Sequence, residues 1–157
     1  IYKALYPSNR WRDYHDFNQV TLNRATECWL APDGKTIIPV CYDLARACAM
    51  SEAFPGKHFF AVDEYDKRTV KCQADAMGYL SDLNYFTQKG EFSSVPDRQG
   101  NVWVADGDIW VFDAAGKPKQ SIHVPERPST LVITESLGTE TIYFTGRTAF
   151  YKINKSN

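Results

Sequence analysis

The sequence predicts an all-β protein built of β-propeller blades, each a four-stranded antiparallel meander. Three observations carry this reading. Short apolar strands alternate with glycine-centred turns along most of the chain. Tyr, Phe and Trp make up 14% of the residues, which favours pleated sheets over helices. The turns recur at a spacing that fits one blade per repeat.

The clearest repeat begins near Phe92. Residues Phe92–Asp97 form its first strand, Arg98-Gln-Gly100 the turn, and Asn101-Val-Trp-Val-Ala105 the second strand. Asp106-Gly107 is a hairpin signal. Ile109–Phe112 follows as a third strand, Ala115-Gly116-Lys117 as a turn, and Gln120–Val124 as a fourth strand. A second copy runs through Thr130–Ile133, Thr141–Phe144 and Thr148–Ile153, with no fourth strand before Asn157. That leaves an unpaired edge.

Upstream, Met50–Phe54, His58–Val62, Arg68–Cys72 and Asn84–Thr87 make another blade. Before it, Cys28–Ala31 and Thr36–Val40 flank the turn at Pro32-Asp-Gly-Lys35. Residues 44–53 have a second reading as a short helix, because Leu44, Ala47 and Cys48 share a helical face. The organisation is thus an N-terminal segment, 1–27, of unassigned role, then about three blades over 28–157. Each blade buries both faces, so three cannot close a ring. Either the N-terminal segment supplies the missing outer strand or, the favoured reading, the chain is the C-terminal half of something longer, completed by a second polypeptide or a missing half. Ile1 is read as a boundary rather than a natural start.

Bulk properties narrow the function classes. The 43% apolar content is that of a globular chain, and a net charge of −1 gives no basis for a nucleic-acid or anionic-membrane partner. No apolar run is long enough for a membrane-spanning helix. Cysteines stand at 28, 41, 48 and 72 without a C-x-x-C pair, which argues against structural zinc. Cys28 and Cys41 lie symmetrically about the Asp33-Gly34-Lys35 turn and would face each other across a hairpin. The alternative is four buried, reduced thiols. A secreted or periplasmic location suits the first reading and a cytoplasmic one the second.

Residues from about 50 to 153 resemble the gluconolactonase / senescence-marker-protein (SMP-30) / luciferin-regenerating-enzyme family of six-bladed propellers. The resemblance rests on Gly100-Asn-Val-Trp-Val-Ala105, Ile109-Trp-Val-Phe-Asp113, Gly116-Lys117, Ile122-His-Val-Pro-Glu126, Pro128 and Ile142-Tyr-Phe-Thr145. It implies that the chain is about half of a six-bladed propeller, the C-terminal half, and a hydrolase of sugar lactones or related esters, with a divalent cation, often calcium, held by oxygen ligands in the central channel. One departure bears on that cation. The family's ligand Asp would fall at Phe92, with Glu91 one residue away, so no family metal ligand carries over. The other reading is a non-catalytic propeller that binds carbohydrate or a protein partner.

In a propeller the channel mouth is reached by the loop before each blade's first strand. That geometry selects Glu91 and Arg127 as candidate catalytic residues, and Ser129 and Glu27 as candidate substrate-binding residues. Arg127 can grip a carboxylate or sugar oxygen in bidentate fashion. Glu91 can act as a base or bind metal if burial raises its pKa. The bland reading pairs these residues with each other at the surface. Asp63, Glu64 and Asp66 could hold calcium or merely form a solvated turn beside Lys67 and Arg68. Trp11, Asp13, His15 and Asp16 form an aromatic–acidic patch suited to sugar stacking, metal or simple packing. His123 is expected to face solvent, His58 has no evident partner, and Asn154-Lys-Ser156 is a glycosylation sequon.

Overall fold

The structure is a computed structural model that describes residues 2–4, 27–30, 33–41, 44–53, 58–75 and 80–154. Among them there are fourteen strands and no helix. They fall into four antiparallel sheets. The first joins β1 (Tyr2–Ala4), β2 (Glu27–Leu30) and β3 (Ile37–Cys41); the second β4 (Ala47–Glu52), β5 (His58–Asp63), β6 (Arg68–Ala74) and β7 (Leu80–Thr87). The third holds β8 (Ser93–Pro96), β9 (Val102–Asp106), β10 (Asp108–Phe112) and β11 (Pro118–Ile122); the fourth β12 (Thr130–Ser136), β13 (Thr139–Thr145) and β14 (Phe150–Asn154).

Every sheet is a simple up-and-down meander, and the first strands of successive sheets stand side by side. β1 touches β4, β4 touches β8, and β8 touches β12. This is the arrangement of propeller blades, with the first strand of each blade innermost.

The seams explain the sequence pattern. In β9, Val102 and Val104 point into the seam with the second blade, beside Phe60, Phe86 and Phe112. Trp103 and Ala105 point into the seam with the fourth, beside Val111, Leu131, Ile142 and Phe144. A strand buried on both faces has no polar side, hence the unbroken apolar run. Full burial of Ile109, Ile142, Val102 and Val104 contributes about 1.5–3 kcal/mol each. In the second seam Phe60 and Phe86 pack edge-on at 4.9 Å between ring centroids.

Three turns are fixed by an Asp at their start. Asp97 accepts the Asn101 amide (2.8 Å), the Asn101 side-chain Nδ2 (2.9 Å) and the Trp103 indole Nε1 (3.0 Å). The Asp-x-x-Gly-Asn-x-Trp signature is thus one buried hydrogen-bonded unit. Asp113 accepts the amides of Ala115 and Lys117, and Asp33 those of Lys35 and Thr36. Gly116 closes one such turn at φ +82°, where an added Cβ would collide with the Phe86 carbonyl of the second blade.

Three expectations are revised. Residues 47–52 are strand β4, not a helix. They form an inner strand whose small side chains fit between two seams, and small residues carry no period that separates strand from helix. Cys28 and Cys41 are not opposite one another. A bulge sets Cys41 against Glu27 and Cys28 against Pro39. Tyr2–Ala4 pairs with β2, so Glu27–Leu30 is a second strand rather than the first of its blade. The 11–16 patch and the last two sequon residues lie outside the described residues.

Candidate functional site

All first strands run the same way, so their starts share one end of the blade stack. The turns between second and third strands lie at that same end. Carboxylates there tie the turn to the chain entering the first strand. In the second blade Asp63 accepts the amides of Ala45 (3.0 Å) and Arg46 (2.9 Å). In the third, Asp106 accepts the amide of Gly90 (3.1 Å). Gly90 is required here, because a Cβ would lie 2.6 Å from the Arg68 carbonyl oxygen.

This entry geometry delivers Glu91 and Arg127 to one place. Arg127 Nε donates to Glu91 Oε2 at 2.7 Å, and Arg127 Nη2 donates to Glu91 Oε1. The Gly107 amide also donates to Glu91 Oε2 (3.2 Å). The Glu91 side chain is 6% exposed and that of Arg127 is 60% exposed, so a covered carboxylate holds a guanidinium whose far edge faces solvent. The Phe92 ring lies 5.9 Å from the guanidinium carbon. Glu91's hydrogen bonding pushes the Arg127 guanidinium further above its ordinary pKa, so it stays charged.

Other groups at this end escaped the sequence reading. Lys89 Nζ sits 4.3 Å from the Trp110 ring centroid and 3.9 Å from Asp106 Oδ2. Trp110 Nε1 donates to the Asp106 carbonyl (3.0 Å). The Cys48 thiol donates to the Glu91 carbonyl (3.1 Å), and burial, with Glu64 and Asp63 adding negative charge, pushes its pKa up to about 12. The Asp106-Gly107 pair was legible only as a turn.

The remaining candidates have other surroundings. Ser129 Oγ donates to the Thr145 carbonyl (3.1 Å) and lies 2.8 Å from Thr145 Oγ1, tying β12 to β13. Glu27 is elsewhere: it pairs with Ala4 at the end of its inner strand, not the start, and so lies at the opposite end of its blade from Glu91 and Arg127. Asp63, Glu64 and Asp66 are each engaged by cationic side chains, with Arg68 shared between Asp63 and Asp66. Asp63 is fully buried on its two amides and Arg68 (3.3 Å), Asp66 pairs with Arg68 (3.2 Å), and Glu64 with Arg46 (3.6 Å). His58 Nδ1 is buried without a hydrogen-bond partner. His123 is exposed, as expected, with Nδ1 3.0 Å from Asp108 Oδ1.

A divalent cation does not fit the Glu91 corner. Both oxygens of Glu91 are engaged by Arg127 and Gly107, and among the described residues no three His, Cys, Asp or Glu side chains converge on a cation position.

No family model matches the sequence, and no curated protein does. Solved structures do match. A gluconolactonase from Xanthomonas campestris superposes with a TM-score of 0.68 at 19% identity, over 82% of this chain and 43% of its own. Regucalcin from Agrobacterium tumefaciens, a calcium-binding protein, gives 0.64 at 16% identity, over 77% and 44%. Luciferin-regenerating enzyme gives 0.63 at 14% identity, over 76% and 43%. The chain therefore spans less than half the length of these proteins, and what the likeness establishes is the fold: part of a β-propeller of the kind that gluconolactonase, regucalcin and luciferin-regenerating enzyme build.

Proposed function

We propose that this chain carries one wall of the active-site mouth of a lactonase-like hydrolase acting on sugar lactones or related esters. The observation that carries the proposal is the Arg127 guanidinium, held from behind by a covered carboxylate and open to solvent at the strand-start end of the blades. The fold shared with a gluconolactonase supports the substrate class.

Hydrolysis adds water across the acyl C–O bond, and negative charge grows on the carbonyl oxygen in the transition state. A fixed guanidinium within hydrogen-bond reach of that oxygen lowers the barrier, because its orientation is set before the reaction. Arg127 is the substrate-facing group in this scheme. Glu91 is a positioning residue, since its oxygens are spent on Arg127 and Gly107.

The test is proton release from gluconolactone by the purified protein, compared with the spontaneous rate in the same buffer. A protein-dependent rate supports the proposal. A rate equal to buffer alone would instead favour a non-catalytic module for carbohydrate or a protein partner, a reading that also draws on the full engagement of Glu91.

A further inference from the structure

We propose that Arg127 is the resident cation of the seam between the third and fourth blades, and that its guanidinium closes Glu91 to divalent metal. The inference uses the propeller fold but not the hydrolase reading.

Glu91 enters β8 of the third blade, whereas Arg127 lies on the segment that leads into β12 of the fourth. Their bidentate pair therefore crosses the seam. Gly107, on the β9–β10 turn, adds a third element through its amide. Gathering several chain segments around one centre of charge is what a divalent ion does with carboxylates. Here the polarity is reversed: the carboxylate is the buried hub, and the cation is a side chain that arrives from the next blade.

The geometry leaves metal little opportunity. A calcium ion needs several oxygen ligands, each with a free lone pair directed at it. Glu91 offers two oxygens, each with a charge-assisted donor on it. The neighbouring position, Phe92, where the resemblance would place a ligand Asp, supplies a ring within cation–π reach of the same guanidinium. The nearby Asp106 is committed to the Gly90 amide and Lys89. Arg127 thus supplies the counter-charge of Glu91 and occupies the position from which a cation would reach it.

Removing the guanidinium should reverse this. In Arg127→Ala the covered Glu91 carboxylate keeps only the Gly107 amide, and a hard cation becomes its natural counter-charge. The experiment is a thermal melt of the folded protein in 1 mM EDTA and in 5 mM CaCl₂. Calcium should shift the wild-type melting temperature by less than about 1 °C. Arg127→Ala should melt roughly 5–10 °C lower in EDTA and regain part of that loss in calcium, since a ligand of the native state raises stability. The double variant Glu91→Gln/Arg127→Ala should show no calcium response. A calcium-dependent rise in the wild type that Glu91→Gln abolishes would overturn the proposal, and that result needs no destabilised variant. An Arg127→Ala protein that melts like wild type would overturn it as well. Neither result depends on whether the protein hydrolyses a lactone.

Discussion

Asp63 and Asp66 stand three positions apart in one acidic turn, and the structure assigns them very different weights. Asp63 has no exposed surface and accepts two backbone amides, from Ala45 and Arg46, where the chain enters β4. Asp66 has a 42% exposed side chain and meets one arm of Arg68, at 3.2 Å. Replacing Asp63 with Ala leaves both amides without their acceptor. A hydrogen bond to a charged acceptor contributes about 1.5–3 kcal/mol, so the two amide bonds give an upper bound near 6, and Arg68, which keeps Asp66, adds little to it. The buried carboxylate's desolvation cost disappears with it, so the net loss is about 3 kcal/mol. Asp66→Ala removes an exposed ion pair and should cost no more than about 1 kcal/mol. Urea unfolding with matched m-values measures both. At about 2–4 °C per kcal/mol for a chain of this size, the Asp63 variant should melt about 6–12 °C lower. An Asp63→Ala protein within 1 kcal/mol of wild type, or one no weaker than Asp66→Ala, would refute the amide-anchoring account.

Three further outcomes are expected. Gly116→Ala drives a Cβ into the Phe86 carbonyl at positive φ and should lower stability by more than about 2 kcal/mol in the same assay. Cys48, pushed up to about 12 by burial and neighbouring carboxylates, should react with iodoacetamide at pH 8 about 10³-fold more slowly than a thiol at its ordinary value. Peptide mass spectrometry of the alkylated native protein reads this directly. The Glu126 carboxyl is held below its ordinary pKa by the Thr148 hydroxyl and amide. A lowered folded pKa means a contribution present above the unfolded carboxylate value and lost as pH falls through the folded one. Urea midpoints of wild type and Glu126→Gln should therefore differ at pH 7 and converge on acidification.

The blades from Phe92 onward were legible because two signals coincide there. Asp-x-x-Gly turns mark the ends, and both-face burial gives short apolar runs between them. Residues 47–52 were ambiguous because an inner strand between two seams uses Ala and Cys, which suit helix and strand alike. β1 could not be read: three residues far from their partner β2 form no local pattern, and placing Glu27 before an inner strand followed from that. Glu91 and Arg127 were each selectable from their position before a first strand. Their contact was not, because it joins residues from different blades, and only the seam packing brings them into register. Asp63 and Asp106 were read as an acidic cluster member and a turn residue, since their role as acceptors for the strand-entry amides depends on the fold.

The most direct test of the account is the kcat/KM for gluconolactone of Arg127→Ala and Arg127→Lys against wild type, with native folding of each checked by its circular dichroism spectrum. If the guanidinium meets the carbonyl oxygen in the transition state, Ala should lose roughly 10- to 100-fold, the value of one charge-assisted hydrogen bond. Lys, which keeps the charge without the planar fork, should fall between. Folded variants with unchanged kcat/KM would contradict the assignment of Arg127 as the substrate-facing group.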